Sequence, residues 1–171
     1  MSQEFRGLTS EERAALESGL SLASRLADAA PPLTAAHVQD LYDTLSSQYP
    51  EYGEGIIAAG LAFGELLAQK VPLEWVRVKD EFGEETGLAI PDLKIFCSPV
   101  SMIQKRVRES ARVSITDLCN AMASELETAV ADQVRSEEQL RVANLELSRN
   151  ATILQARGEV KGLTTGAALW G

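Results

Sequence analysis

The sequence is poor in the residue types on which most metal centres and nucleophilic active sites depend. Its 171 residues include one histidine and two cysteines, and aromatic residues make up 5%. Tetrahedral zinc needs four nitrogen or sulfur ligands at short spacings, which His37, Cys97 and Cys119 do not supply. A serine or cysteine nucleophile needs a nearby base, most often a histidine, and His37 is the only one. We therefore expect no metal, no cofactor and no catalytic residue of these kinds.

The motifs of common hydrolytic and nucleotide-binding enzymes are missing as well. The sequence has no Gly-x-Ser-x-Gly elbow, no Walker-type loop and no Gly-x-Gly-x-x-Gly fingerprint. Catalysis by carboxylates alone stays open, because the 25 acidic residues contain many possible pairs. We lean towards a protein that is not an enzyme.

Long apolar segments are also absent. The longest apolar run, residues 56–63, is too short to span a bilayer, and Glu65 follows it. Residues 1–15 lack the apolar core of a signal peptide. Two cysteines are few for a disulfide-stabilised secreted domain, so we expect free thiols in the core of a cytoplasmic protein.

The charge balance limits the classes of partner. The net charge is -9, and an acidic surface repels nucleic acid and anionic membranes. We therefore expect neither of these as a partner. A basic protein partner fits the charge.

Local signals predict helices at the N-terminal end. Thr9 and Glu12 fit a capping box at the start of a first helix. Pro31 and Pro32 end that helix, because proline offers no amide hydrogen and its ring clashes with the preceding turn. Thr34 is a good N-cap for a second helix.

A third helix is predicted over residues 51–70. Its apolar residues are too numerous for a narrow stripe, which indicates a central helix. Gly60 and Gly64 lie four residues apart and would let another backbone come close. We interpret this spacing as a close-packing site in a globular protein.

Strand patterns follow the third helix. Residues 73–79 alternate, with Trp75 and Arg77 expected on the opposite face from the valines between them. Short strands are predicted over 86–90 and 94–97. Three consecutive strands with tight links indicate an antiparallel meander, which needs helices on one face for stability.

The C-terminal part is predicted to be helical, with one long helix. No helix-breaking residue lies between Ile115 and Arg157. Leucine recurs at seven-residue intervals, at positions 126, 140, 147 and 154. Position 133, which belongs to the same series, is glutamine. This weak coiled-coil pattern predicts either a solvated arm or a homo-oligomer. We expect a single α+β domain over residues 1–157 and a flexible tail over 158–171.

Two charged clusters are candidates for binding. The first surrounds the turn between the first two predicted strands and consists of Asp80, Glu81, Glu84 and Glu85. The second lies between the predicted strands and the long helix, at the end of a short helix predicted over 100–108 and just after it, and consists of Lys105, Arg106, Arg108 and Arg112. The alternatives are a solvated hairpin tip and a solvated helix face, and the basic cluster could also grip a phosphate or a carboxylate.

Several short motifs in the middle of the chain resemble a family of bacterial proteins known only as a domain of unknown function. They are a small-residue helix at 60–66, Leu-Glu-Trp at 73–75, Asp-Glu-Phe-Gly at 80–83 and Pro-Val-Ser-Met-Ile-Gln-Lys-Arg at 99–106. The resemblance covers residues 52–125 and implies a bacterial origin and a compact α+β domain, but no activity. The matching residues are Trp75, Asp80, Gly83, Met102, Lys105 and Arg106.

These observations favour a non-enzymatic protein-binding module. One form is an immunity protein or antitoxin that masks a basic toxin, and a secretion chaperone or adaptor is a close variant. The alternative is a small enzyme that uses carboxylates, or the group Asp80, Lys105 and Arg106, on a charged substrate. The expected binding residues are Trp75, Asp80, Glu81, Glu84, Glu85, Lys105, Arg106 and Arg108.

Overall fold

A computed structural model shows an α+β fold, as the sequence predicts. It describes residues 3–168, and side chains as far as residue 158. The elements are, in order, β1 (Glu4–Gly7), α1 (Ser10–Ala27), α2 (Ala35–Gln48), α3 (Gly53–Lys70), β2 (Glu74–Asp80), β3 (Gly83–Ile90), a 3-10 turn (Pro91–Leu93), β4 (Ile95–Cys97), α4 (Pro99–Arg108) and α5 (Ile115–Ala168). Within the described residues, no helix combines the length and apolarity that crossing a membrane requires.

The sheet has four antiparallel strands in the order β1-β2-β3-β4, so the prediction of three strands was wrong. The strand that was missed is β1, in which Phe5 lies opposite Val78 of β2. It has only four residues, and it pairs with a strand far along the chain. Local alternation could not reveal such a pairing.

The two faces of the sheet differ as the alternation predicts. Trp75 packs against the main core, whereas Val76 and Val78 belong to a smaller buried cluster. Phe5 and Phe96 cover that smaller cluster and meet edge to face, with ring centroids 6.2 Å apart. The helices therefore cover one face, and aromatic rings shield the other.

Capping sets the starts of α1 and α2. The predicted capping box at Thr9 and Glu12 is confirmed, with hydrogen bonds in both directions. A second box joins Thr34 to His37, whose Nδ1 accepts the Thr34 backbone N–H at 3.2 Å. The only histidine therefore serves as a capping residue.

Helix α3 is central, as predicted, and it is buried along most of its length. Phe63 and Leu67 are fully buried in the main core. Gly60 faces the backbone of Val100 in α4, and Gly64 faces the indole of Trp75. Both glycines are close-packing positions, because a Cβ at either would overlap these neighbours.

The chain divides into two units, Met1–Val130 and Ala131–Gly171. The first contains the sheet, helices α1–α4 and the buried start of α5. In the second, every described side chain from 134 to 158 is exposed.

Helix α5 extends to Ala168, into the segment 158–171 that the sequence predicts as a tail. The flexibility predicted for 158–171 stays a prediction, and residues 169–171 lie outside the described part.

Candidate binding surface

The β2–β3 hairpin ends in a tight turn with an exposed aromatic side chain. Asp80 lies opposite Gly83, and its Oδ1 accepts the Phe82 backbone N–H at 2.8 Å. Gly83 has a φ of 132°, which side-chain-bearing residues rarely adopt. This turn leaves Phe82 88% exposed. The hairpin tip, defined here as Asp80–Glu85, therefore presents a phenyl ring to solvent, and its sequence contains four carboxylates.

Glu84 belongs to a network of ion pairs beside the hairpin. Its Oε2 lies 3.5 Å from Arg6 Nη2 and 3.5 Å from Arg77 Nε. Arg6 donates to both carboxylate oxygens of Glu12 at 2.8 Å, the forked geometry that guanidinium and carboxylate favour. Arg77 donates through Nη1 to Thr86 Oγ1 at 3.0 Å. The network thus joins β1, α1, β2 and β3.

The electrostatics of this network keep Glu12 ionised. The hydrogen bond from Arg6, together with that from the Thr9 backbone N–H, lowers the pKa of Glu12 from 4.5 to about 2. The same contact with Glu12 raises the pKa of Arg6. Glu12 therefore stays ionised below its ordinary pKa, and its contact with Arg6 holds β1 against the start of α1.

Glu85 has different partners from Glu84. Its Oε2 accepts hydrogen bonds from Ser98 Oγ at 2.7 Å and from Ser101 Oγ at 3.2 Å. Ser98 is the N-cap of α4, so the carboxylate lies at the positive end of that helix. The contact fixes the end of the hairpin against α4.

A groove of about 430 Å³ opens beside these carboxylates, among α1, α3, α4 and the β2–β3 hairpin. Its apolar part includes Leu16, Leu61 and Ile57, and Ile57 is 41% exposed. Its polar part includes Glu12, Arg77, Glu84, Glu85, Thr86, Ser101 and Gln104. The volume falls in the range of small-ligand pockets.

Trp75 is held in place by the domain itself. Its indole N–H donates to Glu65 Oε1 at 2.7 Å, and the ring lies against Gly64. These contacts give Trp75 a packing role. Asp80 serves the turn through its bond to Phe82, and no ion pair among the described residues joins it to Lys105 or Arg106.

The basic residues Lys105, Arg106 and Arg108 occupy the last turn of α4, where cations favour the negative end of a helix. Arg106 donates to the Met102 carbonyl at 3.0 Å. None of the three lines the groove. The structure therefore unites Glu84 and Glu85 at the groove and leaves the basic cluster outside it.

The sequence interpretation did not select several residues of this surface. Arg6 and Arg77 complete the ion-pair network, Ile57 is an exposed apolar residue on the central helix, and Phe82 occupies the hairpin tip. Phe82 could have been selected from the sequence, because it is a large apolar residue between turn-forming residues. Nothing local marked Arg6, because its strand was not recognised.

No group of three or more His, Cys, Asp or Glu residues in the described part of the chain is arranged to hold a metal ion. Cys97 and Cys119 are free and buried. Burial raises the pKa of Cys97 to about 11, and it also raises that of Cys119. Both thiols are therefore poor nucleophiles.

The fold is an α+β domain in which the helices cover one face of the sheet and the β2–β3 hairpin carries an acidic tip. Residues 43–118 match the family model described as a domain of unknown function (DUF3806). The match includes the whole hairpin, α3 and α4. The bacterial origin and the motif pattern implied by the resemblance stay predictions. No curated protein and no solved structure matches the chain.

Proposed function

We propose that the protein is a non-enzymatic binding module that docks on a basic protein through its hairpin tip. The exposure of Phe82, 88%, carries the proposal. A phenyl ring that is held in water by a fixed turn gains apolar contact when it enters a pocket on another protein. The turn contacts of Asp80 and Gly83 prepare the ring for this role, because the loop needs little further ordering.

Charge supports a basic partner. The hairpin tip contains Asp80, Glu81, Glu84 and Glu85 together with Phe82, and the whole chain carries a net charge of -9. Opposite charges on two surfaces accelerate their encounter and exclude like-charged competitors. The partner should therefore present an apolar pocket bordered by lysine or arginine.

The form of this function that we propose is a cytoplasmic immunity protein or antitoxin that masks a basic toxin. A secretion chaperone or adaptor would use the same hairpin on a secreted cargo. The alternative, a carboxylate-based enzyme, has support only from the groove, whose lining does not include Asp80, Lys105 or Arg106. Such an enzyme would have to act through Glu12, Glu84 or Glu85 instead.

The test compares capture of partners from the source cell's lysate by wild type, Phe82→Ser and Tyr49→Ser. Tyr49 is 55% exposed at the end of α2 and is the matched aromatic control. We expect one dominant basic protein with wild type and with Tyr49→Ser, and its loss with Phe82→Ser. Equal capture by all three, or no protein that survives physiological salt, would contradict the proposal.

We also propose that the protein forms a homo-oligomer through the second unit of the chain. This is one of the two structures that the heptad pattern predicts. Leu140, Leu147 and Leu154 are 65%, 67% and 66% exposed, and they recur every seven residues. Light scattering should show an oligomer that Leu147→Glu dissociates, whereas Leu145→Glu, off this heptad position, leaves it intact. A monomeric wild-type protein at high concentration would end this proposal.

A further inference from the structure

The groove beside the hairpin has an apolar floor that a flexible hydrocarbon chain could cover. Leu16 and Leu61 are almost buried within it, whereas Ile57 stays 41% exposed at its edge. Ala15 and Val100 extend the apolar surface along α1 and α4. An alkyl group lying here would remove the exposed part of Ile57 from water.

The charged residues of the groove carry an excess of negative charge. Three carboxylates line it, Glu12, Glu84 and Glu85, and Arg77 is the one cation among the lining residues. Arg6, outside the lining, is bonded to Glu12, and Glu84 lies within ion-pair distance of Arg77. Glu85 is left without a cationic partner among the ion pairs of the described residues.

Glu85 is also held in a defined position. The two serine hydroxyls that donate to it both contact Oε2. Among the described residues, no hydrogen bond to Oε1 is formed. A carboxylate fixed in this way can accept a further charge-assisted hydrogen bond with little loss of side-chain entropy.

An anionic ligand fits the groove less well. Arg77, the cation that would receive it, already donates to Thr86 and lies between two carboxylates, with its Nε 3.5 Å from Glu84 and 3.8 Å from Glu12. An anion would therefore have to displace these carboxylates and would meet Glu85 as a like charge. The balance favours a cation.

We infer that the groove receives a lysine or arginine side chain of the protein partner, with its aliphatic stem along Ile57 and its charged group at Glu85. This inference rests on the proposed protein-binding function and specifies its second contact. Glu84 and Glu85 belong both to the hairpin tip and to the groove lining, so one partner surface can reach Phe82 and the groove together.

The test needs no partner and uses the full chain. Nα-acetyl-lysine methylamide is titrated while the methyl signals of Ile57, Leu16 and Leu61 are followed by carbon–proton NMR. Nα-acetyl-norleucine methylamide supplies the stem without the charge, and Nα-acetyl-glutamate methylamide supplies the opposite charge. We expect saturable shifts with the lysine compound, much weaker ones with norleucine and none with glutamate.

Single substitutions test whether the lysine compound binds at Glu85 and Ile57. Glu85→Gln should weaken the binding of the lysine compound about tenfold, which corresponds to about 1.4 kcal/mol. Glu81→Gln, at the hairpin tip but outside the groove lining, should leave it unchanged. Ile57→Trp alters an exposed position and should block the stem without removing a charge, so it tests the site if Glu85→Gln fails to fold.

Four results would overturn the inference. They are the absence of saturable shifts with the lysine compound, equal shifts from the lysine and norleucine compounds, stronger shifts from the glutamate compound, and unchanged lysine binding in a folded Glu85→Gln variant. The capture experiment with Phe82→Ser tests docking through the hairpin tip, and the lysine titration tests the groove. Failure of either experiment leaves the result of the other unaffected. The two proposals can therefore fail separately.

Discussion

A Cβ placed on Gly60 of α3 would lie 2.6 Å from the Cα of Val100 in α4. The two helices therefore touch backbone to backbone at this point. This contact brings α4 close to the central helix, with Ser98 and Ser101 at its N-terminal end, where they meet Glu85. One glycine thus helps to set the position of a groove wall.

Gly60→Ala should destabilise the fold. The new methyl group would meet backbone, which cannot rotate away, so the helices must separate, at a cost of about 1–3 kcal/mol. Denaturant unfolding measures the loss. Gly53→Ala is the control, because nothing lies within 4 Å of a Cβ at that position, and it should unfold at or slightly above the wild-type midpoint. A Gly60→Ala protein as stable as wild type would contradict the packing argument.

Glu12 should make the stability of the fold sensitive to acid. Its pKa is about 2 in the folded protein and 4.5 ordinarily, so the carboxylate stabilises the fold above about pH 4.5. That contribution is lost as the pH falls from 4.5 towards 2. Unfolding curves across this interval should show a shallower decline for Glu12→Gln than for wild type.

Glu11 supplies the control for this measurement. It lies beside Glu12 in the first turn of α1, but the capping box and the bonds to Arg6 belong to Glu12. Glu11→Gln should follow the wild-type pH profile. If Glu12→Gln and wild type lose stability in parallel between these pH values, the Arg6–Glu12 contact does not stabilise the fold.

The thiols of Cys97 and Cys119 should resist modification while the protein is folded. Both are buried, and the pKa of Cys97 is raised to about 11, which leaves little thiolate near pH 8. A thiol-specific disulfide reagent should react slowly with native protein and should titrate two thiols after denaturation. Ser18→Cys, at an exposed position of α1, should add one fast-reacting thiol. Fast reaction of wild type would show that the core opens.

Features that depend on neighbouring residues in the chain could be predicted from the sequence. The cap at Thr9 needs only Glu12 three residues later, and the central place of α3 follows from its many apolar residues. The opposite faces of Trp75 and Val76 follow from strand alternation. The first two are properties of single helices, and the third is a property of one strand.

Features that depend on distant pairing could not be predicted. The β1 strand exists because residues 4–7 find residues 76–79 in the folded protein. The groove draws Glu12, Ile57 and Glu85 from three separate elements. Acidic residues at the hairpin were selected from their clustering, but only the fold shows that Glu84 and Glu85 have different partners.

The most direct test of the account measures the association rate of the captured partner with wild type and Phe82→Ser as salt rises from about 0.05 M to about 0.5 M. We expect the wild-type association rate to fall at least about tenfold over this range, because acidic carboxylates steer a basic partner. Phe82→Ser should retain this salt dependence but dissociate faster, because the ring acts after the encounter. A salt-independent association rate together with an unchanged dissociation rate for Phe82→Ser would contradict docking of the acidic hairpin on a basic protein.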